Sequence, residues 1–445
     1  MKRKISLSTT VTLVLLTMAL TISLTMLLAM RHFNNQLQSV GARQQMYNYV
    51  HDVDQKVRAC YPQLDETELR KGIAQGYIAA LNKQDPYAAY YEPARYAAEQ
   101  LRLSGKATNM GITLTLTADK KVVVSRVQPN SDAAKQGVKQ GDVVTAVDDV
   151  SVDSQKWAEL QTQLNTAKKM TITVQRGEET KSMSLTAPAE NESYVVRSVQ
   201  ETVLGTVGYV RIYAFYENTP EQFRAAISAL MEQGVTGLIF DLRGNAGGST
   251  AAVQEMLGYV MPVGAYGTIT DVNGTETKLS ASVNNQLSVS TVTIVNSSTA
   301  GEAELFAGVL QDGGFTTVVG QTTAGKAKYQ EFFTIEADYS AVKLTVGTYG
   351  LMRSGSWEGK GIIPTVEAKL PEEQAAISQL LTPEEDAQVK VALEQITDSG
   401  LPGTTPSVID PSVTDPTGTD GSTAADPSGS TTTPTAGTST TTKKP

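Results

Sequence analysis

Twenty consecutive uncharged residues, "VTLVLLTMALTISLTMLLAM" at 11–30, set the first limit on what this 445-residue chain can fold into. At ~1.5 Å per helical residue, such a run covers the ~30 Å hydrocarbon core of a bilayer. The preceding "MKRK" places Lys2, Arg3 and Lys4 in the cytoplasm and residues 31 onward outside. The run is longer than the ~7–15 apolar residues of a cleavable signal, and no clear A-x-A site follows. An uncleaved single-pass anchor is therefore favoured over a cleaved signal peptide. The expected location is the cell membrane, with the main body extracytoplasmic.

Composition narrows the chemistry. A formal net charge of −9 argues against a nucleic-acid partner. Cys60 is the single cysteine, so one chain can build neither a disulfide framework nor a cysteine zinc site. His32 and His51, the two histidines, both stand near the N-terminus. A Ser–His–Asp triad or a His-ligated metal in the main body is thereby nearly excluded, and neither metal nor cofactor is expected. Acid–base work there falls to Lys, Asp, Glu or Tyr.

The length calls for two or three domains. Residues 1–10 read as a cytoplasmic N-terminus, 11–30 as the anchor and 31–94 as helical. "DETELRKGIAQGYIAALNKQ" (65–84) places Leu69, Ile73, Tyr77, Ile78 and Leu81 on one face, and "DPYAAYYEP" (85–93) ends the run with turn chemistry. Residues 95–188 alternate short β-rich runs, such as "KVVVSRV" and "MTITVQR", with turns, around one amphipathic helix at 154–164. That pattern fits a compact α+β module. From 189 to 370, strand–helix–strand alternation ("TPEQFRAAISALMEQG", "TGLIFDLR", "VTIVN") predicts an α/β core with a mostly buried sheet. Residues 371–397 should be helical, with Thr382 as an N-cap before Pro383. Residues 398–445 are Ser/Thr/Pro/Gly-rich and read as a disordered, solvated tail. The fold class is thus multidomain α/β.

Three stretches can carry function. "NMGITLTL" (109–116) and "QGDVVTAVDDVSV" (140–152), followed by the helix at 154–164, resemble a PDZ domain. The resemblance implies that Met110, Gly111 and Ile112 line the carboxylate end of a groove that binds C-terminal peptide tails. "DLRGNAGG" (241–248) places Gly247 and Gly248 after a buried strand, where the backbone can approach a ligand and point N–H groups inward. A tight structural turn is the other reading. "GQTTAGKAKYQ" (320–330) presents Lys326 after a strand and a Thr-rich turn, with Gln330 four residues on. A surface lysine is usually just solvated; in an apolar cleft, burial makes it a general base.

"GYVRIYAFYENTPEQF" (208–223), "GLIFDLRGNAGG" (237–248), "VNSSTAGEAELFAGVLQD" (295–312), "GQTTAGKAKYQ" and "GSWEGKGIIPTVE" (355–367) follow in that order. Together they resemble the carboxyl-terminal processing peptidases, or tail-specific proteases, from about residue 71 to 370. The resemblance implies a serine peptidase core with a crotonase-like sheet, an inserted PDZ domain, and a Ser–Lys dyad in an often membrane-tethered protein. It implies Lys326 as general base, Gln330 as the glutamine that orients it, and Gly247, Gly248 and the Glu302 backbone N–H as oxyanion donors. Protein or peptide C-termini and the membrane are the expected partners, with homo-oligomerisation left open.

The nucleophile of the resemblance falls at 301, where this chain has Gly301 followed by Glu302. Without a hydroxyl there, Lys326 has nothing to deprotonate. In subtilisin, losing the serine costs about 10⁶ in turnover and leaves ~10³–10⁴ over water. Ser297, Ser298 and Thr299 are substitutes by type, but extended geometry starts their oxygens at least ~6 Å from the required place. Glu302, in the first helical turn, either pairs with Lys326 and holds it as an ammonium or points into water. The expected function is a binding module or regulator that captures C-termini without cutting them. The alternative is an active serine-type peptidase with a substitute nucleophile.

Overall fold

The computed structural model describes residues 7–106, 110–129, 131–152, 160, 163–164, 167–187, 193–203, 205–281, 287–375, 377–378 and 380–396. Most of the helix expected at 154–164 and all of the expected tail at 398–445 lie outside them. All the described residues belong to one unit, Met1–Pro402.

The uncharged run lies in a helix, Leu7–Cys60, that continues well past it. Its segment Thr12–Arg31 is long and apolar enough to cross a membrane, and none of it is buried against the rest of the chain. Thr17, Thr21 and Thr25 return their hydroxyls to carbonyls one turn back, at 3.1, 2.8 and 2.8 Å. Polar side chains in an apolar stretch are thereby satisfied within the helix itself. The next helix, Glu66–Leu81, is capped by Asp65, which accepts from the Thr67 and Glu68 amides. The "DPY" turn that follows is fixed from afar, because the Asp85 carboxylate accepts from the Thr345 amide and hydroxyl at 2.8 and 2.9 Å.

The α+β module forms its own sheet, with Ile112–Leu116 at one edge and Glu179–Thr186 at the other. Met110, Val124, Ile172, Val174 and Leu185 fill its core without contact with solvent. Asp142, buried in the "QGD" turn, is held by Arg176 at 2.6 Å and by the Lys139 amide at 2.9 Å.

The larger domain is built on a sheet ordered Val366–Glu367, Thr317–Gly320, Ser290–Val295, Gly237–Asp241, Gly205–Ile212, Val195–Thr202. The first five strands run parallel and the last is antiparallel. Gly237–Asp241 and Ser290–Val295 are buried throughout, as strands covered on both faces should be. Helices Thr219–Glu232, Thr250–Gly258 and Glu302–Asp312 pack on one face, where Phe215, Phe223, Phe240 and Phe306 meet at 5.5–6.1 Å. Helix Ala387–Glu394 covers the other through Val389 and Ala392, with Ile396 just beyond it. A second sheet joins Ala89–Tyr91, Ser340–Leu351, Gly264–Asp271 and Glu276–Ala281, with Lys328–Ile335 paired to Ser340–Leu351. This is the multidomain α/β architecture expected from the sequence.

One boundary is corrected. The last helix does not start at Thr382: residues 383–385 form a turn, and Asp386 caps the helix by accepting from the Gln388 and Val389 amides. Asp386 also accepts from Arg243 at 2.7 Å. Arg243 in turn holds the wholly buried Asp241 together with Arg211 and Tyr209. That buried charge network fixes the helix start four residues later than local capping preference does.

Candidate active site

The site begins at the carboxyl ends of the parallel strands, where two turns lock side by side. Asn296, just past its strand, accepts from the Gly244 amide at 3.1 Å and the Ser298 amide at 3.2 Å. The Ala300 amide donates to the Asn245 carbonyl at 2.9 Å. Gly301 then stands as N-cap of helix Glu302–Asp312 at φ 61°, a conformation glycine adopts without strain. A Cβ built on Gly301 would meet nothing nearer than the Ala246 carbonyl oxygen at 3.5 Å. The space for a side chain is present; the side chain is not.

The helix start is organised by Glu304, a residue that the sequence reading passed over. Its buried carboxylate accepts from the amides of Gly301, Gly325 and Lys326 at 2.9, 2.7 and 2.8 Å, and from the Thr323 hydroxyl. One carboxylate thus supplies the N3 half of a capping box, the glycine having no side chain to return it, and pins the turn that carries Lys326. An acidic residue three places after the N-cap was the available signal.

Lys326 and Gln330 come together through a third residue that the sequence reading also passed over. The Lys326 ammonium lies 4.8 Å from the Tyr87 ring centroid, and Gln330 Nε2 donates to the Tyr87 carbonyl at 3.0 Å. The Gln330 amide nitrogen is thereby engaged by the N-terminal "DPY" turn. Gly247, Gly248, Glu302, Lys326 and Gln330 all line one cleft of about 560 Å³, with Arg102 and Lys343 among its other walls. Burial, and then the charge of Lys326, hold the Lys343 ammonium below its usual range.

Two of the three amides expected to receive an oxyanion are already engaged. The Gly247 N–H donates to Asn245 Oδ1 at 2.9 Å, and the Gly248 N–H donates to Glu302 Oε2 at 2.9 Å. The other Glu302 oxygen accepts from the Tyr349 hydroxyl at 3.0 Å. Neither expectation for Glu302 holds: its carboxylate is bound within the cleft wall, and it forms no ion pair with Lys326 among the described residues. Burial and the Glu302 charge together raise the Tyr349 phenol well above its usual range. The hydroxyls weighed as substitutes stand elsewhere. Thr299 is buried and donates to the Leu242 carbonyl at 3.0 Å, while Ser297 and Ser298 are exposed.

In the α+β module, Met110 is wholly buried in the core, and Ile112 is buried at the start of the edge strand. Their side chains therefore serve packing, and the backbone of 110–112 is what the sheet edge presents. Gly111, at φ 70°, is required there, since a Cβ would fall 2.3 Å from that of Ser131. Of the stretch at 154–164, Leu160 and Leu164 are buried in the module's core.

Residues 206–368 match the family model of peptidase family S41, and residues 108–186 match that of the PDZ domain. The carboxy-terminal processing protease CtpB of Bacillus subtilis is 29% identical over 316 residues, covering 69% of this chain and 65% of the relative. The chain therefore spans a little under two thirds of that protein's length. The carboxyl-terminal-processing protease of Synechocystis is 25% identical over 319 residues, 70% of this chain and 74% of the relative. A crystal structure from Bacteroides fragilis, described as an S41 protease, has the same fold: TM-score 0.53 at 17% identity, covering 75% of this chain and 90% of that one.

Proposed function

Because residues 206–368 are a peptidase family S41 domain and residues 108–186 a PDZ domain, we propose a membrane-anchored, extracytoplasmic protein that captures protein C-termini without cleaving them. The observation that carries this reading is Gly301 at the head of helix Glu302–Asp312. Acyl transfer needs an oxygen or sulfur nucleophile at that point; of the hydroxyls weighed as substitutes, Thr299 is buried and bonded, and Ser297 and Ser298 are exposed, while Ser249 and Thr250 of the cleft wall are engaged in the helix cap and with Tyr349. Lys326 as an inherited base and Gln330 as its orienting residue then have no proton to move. Capture falls to the PDZ module. A peptide carboxylate is held by backbone amides of Met110–Ile112, and the peptide adds a strand beside Ile112–Leu116, which lies at the sheet edge.

The test uses the full chain in detergent micelles. A fluorescent peptide with a free C-terminus should bind, its C-terminally amidated form should bind at least ~10-fold more weakly, and labelled unfolded casein should stay intact. Cleavage of casein by the unaltered chain, abolished by Lys326→Ala, overturns the non-cutting reading. Equal binding of both peptides overturns the capture.

A further inference from the structure

From its bonds to Gly248 and Tyr349, we infer that Glu302 is a built-in occupant of the oxyanion site, so that the cleft is closed to acyl transfer independently of the missing serine. The inference rests on the non-cleaving reading and adds a second, separable lesion to it. An oxyanion hole works by aiming preorganised N–H donors at the place where a carbonyl oxygen becomes negative. Here the Gly248 N–H already donates to a carboxylate oxygen at 2.9 Å, and the Gly247 N–H is turned to Asn245.

The carboxylate is held on several sides. Its second oxygen accepts from the Tyr349 hydroxyl at 3.0 Å, and that hydroxyl also hydrogen-bonds the Thr250 hydroxyl at 2.6 Å. A Cβ on Gly247 would lie 2.3 Å from Glu302 Oε2 and 2.9 Å from the Glu302 amide nitrogen, so the carboxylate rests directly on the Gly247 backbone. Tyr349 is itself fully buried and stacks on Trp357 at 6.0 Å, which makes the hydroxyl a fixed donor. Glu302 also stands in the first turn of an eleven-residue helix, where negative charge is favoured. A substrate carbonyl entering this cleft meets a bound anion where an N–H donor is needed.

The consequence is that returning the hydroxyl alone does not return the chemistry. In full-length chain, Gly301→Ser, Gly301→Ser/Glu302→Ala and Gly301→Ser/Glu302→Ser are compared by the rate of labelling with a fluorophosphonate probe and by casein cleavage. Thermal melting and C-terminal peptide binding establish that each variant is folded. Loss of one oxyanion donor costs ~10²–10³ in rate, so Gly301→Ser alone should react at least ~10-fold, and typically ~100-fold, more slowly than either double variant. If all three serine variants react alike, whether all fast or all inert, the occupant role of Glu302 is overturned. Reaction of the unaltered chain instead sinks the non-cutting reading, so the two failures are distinguishable.

Discussion

At the scale of single residues, Glu304 does the most structural work in the site, because one buried carboxylate receives four donors from two segments. Glu304→Ala strands the buried amides of Gly301 and Gly325, the half-buried amide of Lys326 and the Thr323 hydroxyl, a buried group costing ~1–3 kcal/mol when left unpaired. A loss of more than ~3 kcal/mol in denaturant unfolding is the expected outcome. Gly301→Ser is milder. The built Cβ has room, but a φ of 61° with a side chain costs ~1–3 kcal/mol, visible as a lowered melting temperature. Asp142 gives a pH test. Burial alone raises its carboxyl, but the Arg176 hydrogen bond, the Lys139 amide and the charge of Arg176 together outweigh this and hold it below the usual range. A group with a depressed folded pKa contributes stability above its unfolded value of ~3.9 and loses it as pH falls through the folded one. Arg176→Ala should therefore lower the melting temperature of the PDZ domain at pH 7, with the difference from the parent shrinking below about pH 4.

At the scale of elements, periodicity and turn chemistry made most of the framework readable. Helix Thr219–Glu232 and strands Gly237–Asp241 and Ser290–Val295 stand where "TPEQFRAAISALMEQG", "TGLIFDLR" and "VTIVN" place them, because a long amphipathic run and short continuous apolar runs leave few alternatives. The last helix was misread for an identifiable reason. Thr382–Pro383 is a good local start, yet Asp386 both caps the helix and pairs with Arg243, 143 residues away. Asp386→Ala removes cap and buried partner together, and a loss of ~3–5 kcal/mol in equilibrium unfolding is expected. Gly248→Ala tests the glycine turn, since its Cβ would lie 2.1 Å from the Phe215 carbonyl oxygen. That variant should shift the turn and melt well below the parent.

At the scale of the whole molecule, the N-terminal helix is the element that bears on location. Segment Thr12–Arg31 is apolar and buries nothing against the rest of the chain. The full chain should therefore stay with membranes through an alkaline carbonate wash, and a chain lacking residues 1–31 should appear in the soluble fraction. The sequence by itself determined the apolar span, the order of the domains, and the presence of Gly301 and Glu302 at the turn into the helix, because each is written in adjacent residues or in a period of two or 3.6. Only the tertiary structure decided what Glu302 does, why Gln330 turns to Tyr87, and how Glu304 joins two loops. Those contacts span 54, 243 and up to 22 residues of chain, and a hydrogen bond is fixed by distance and direction in space, which no local pattern encodes.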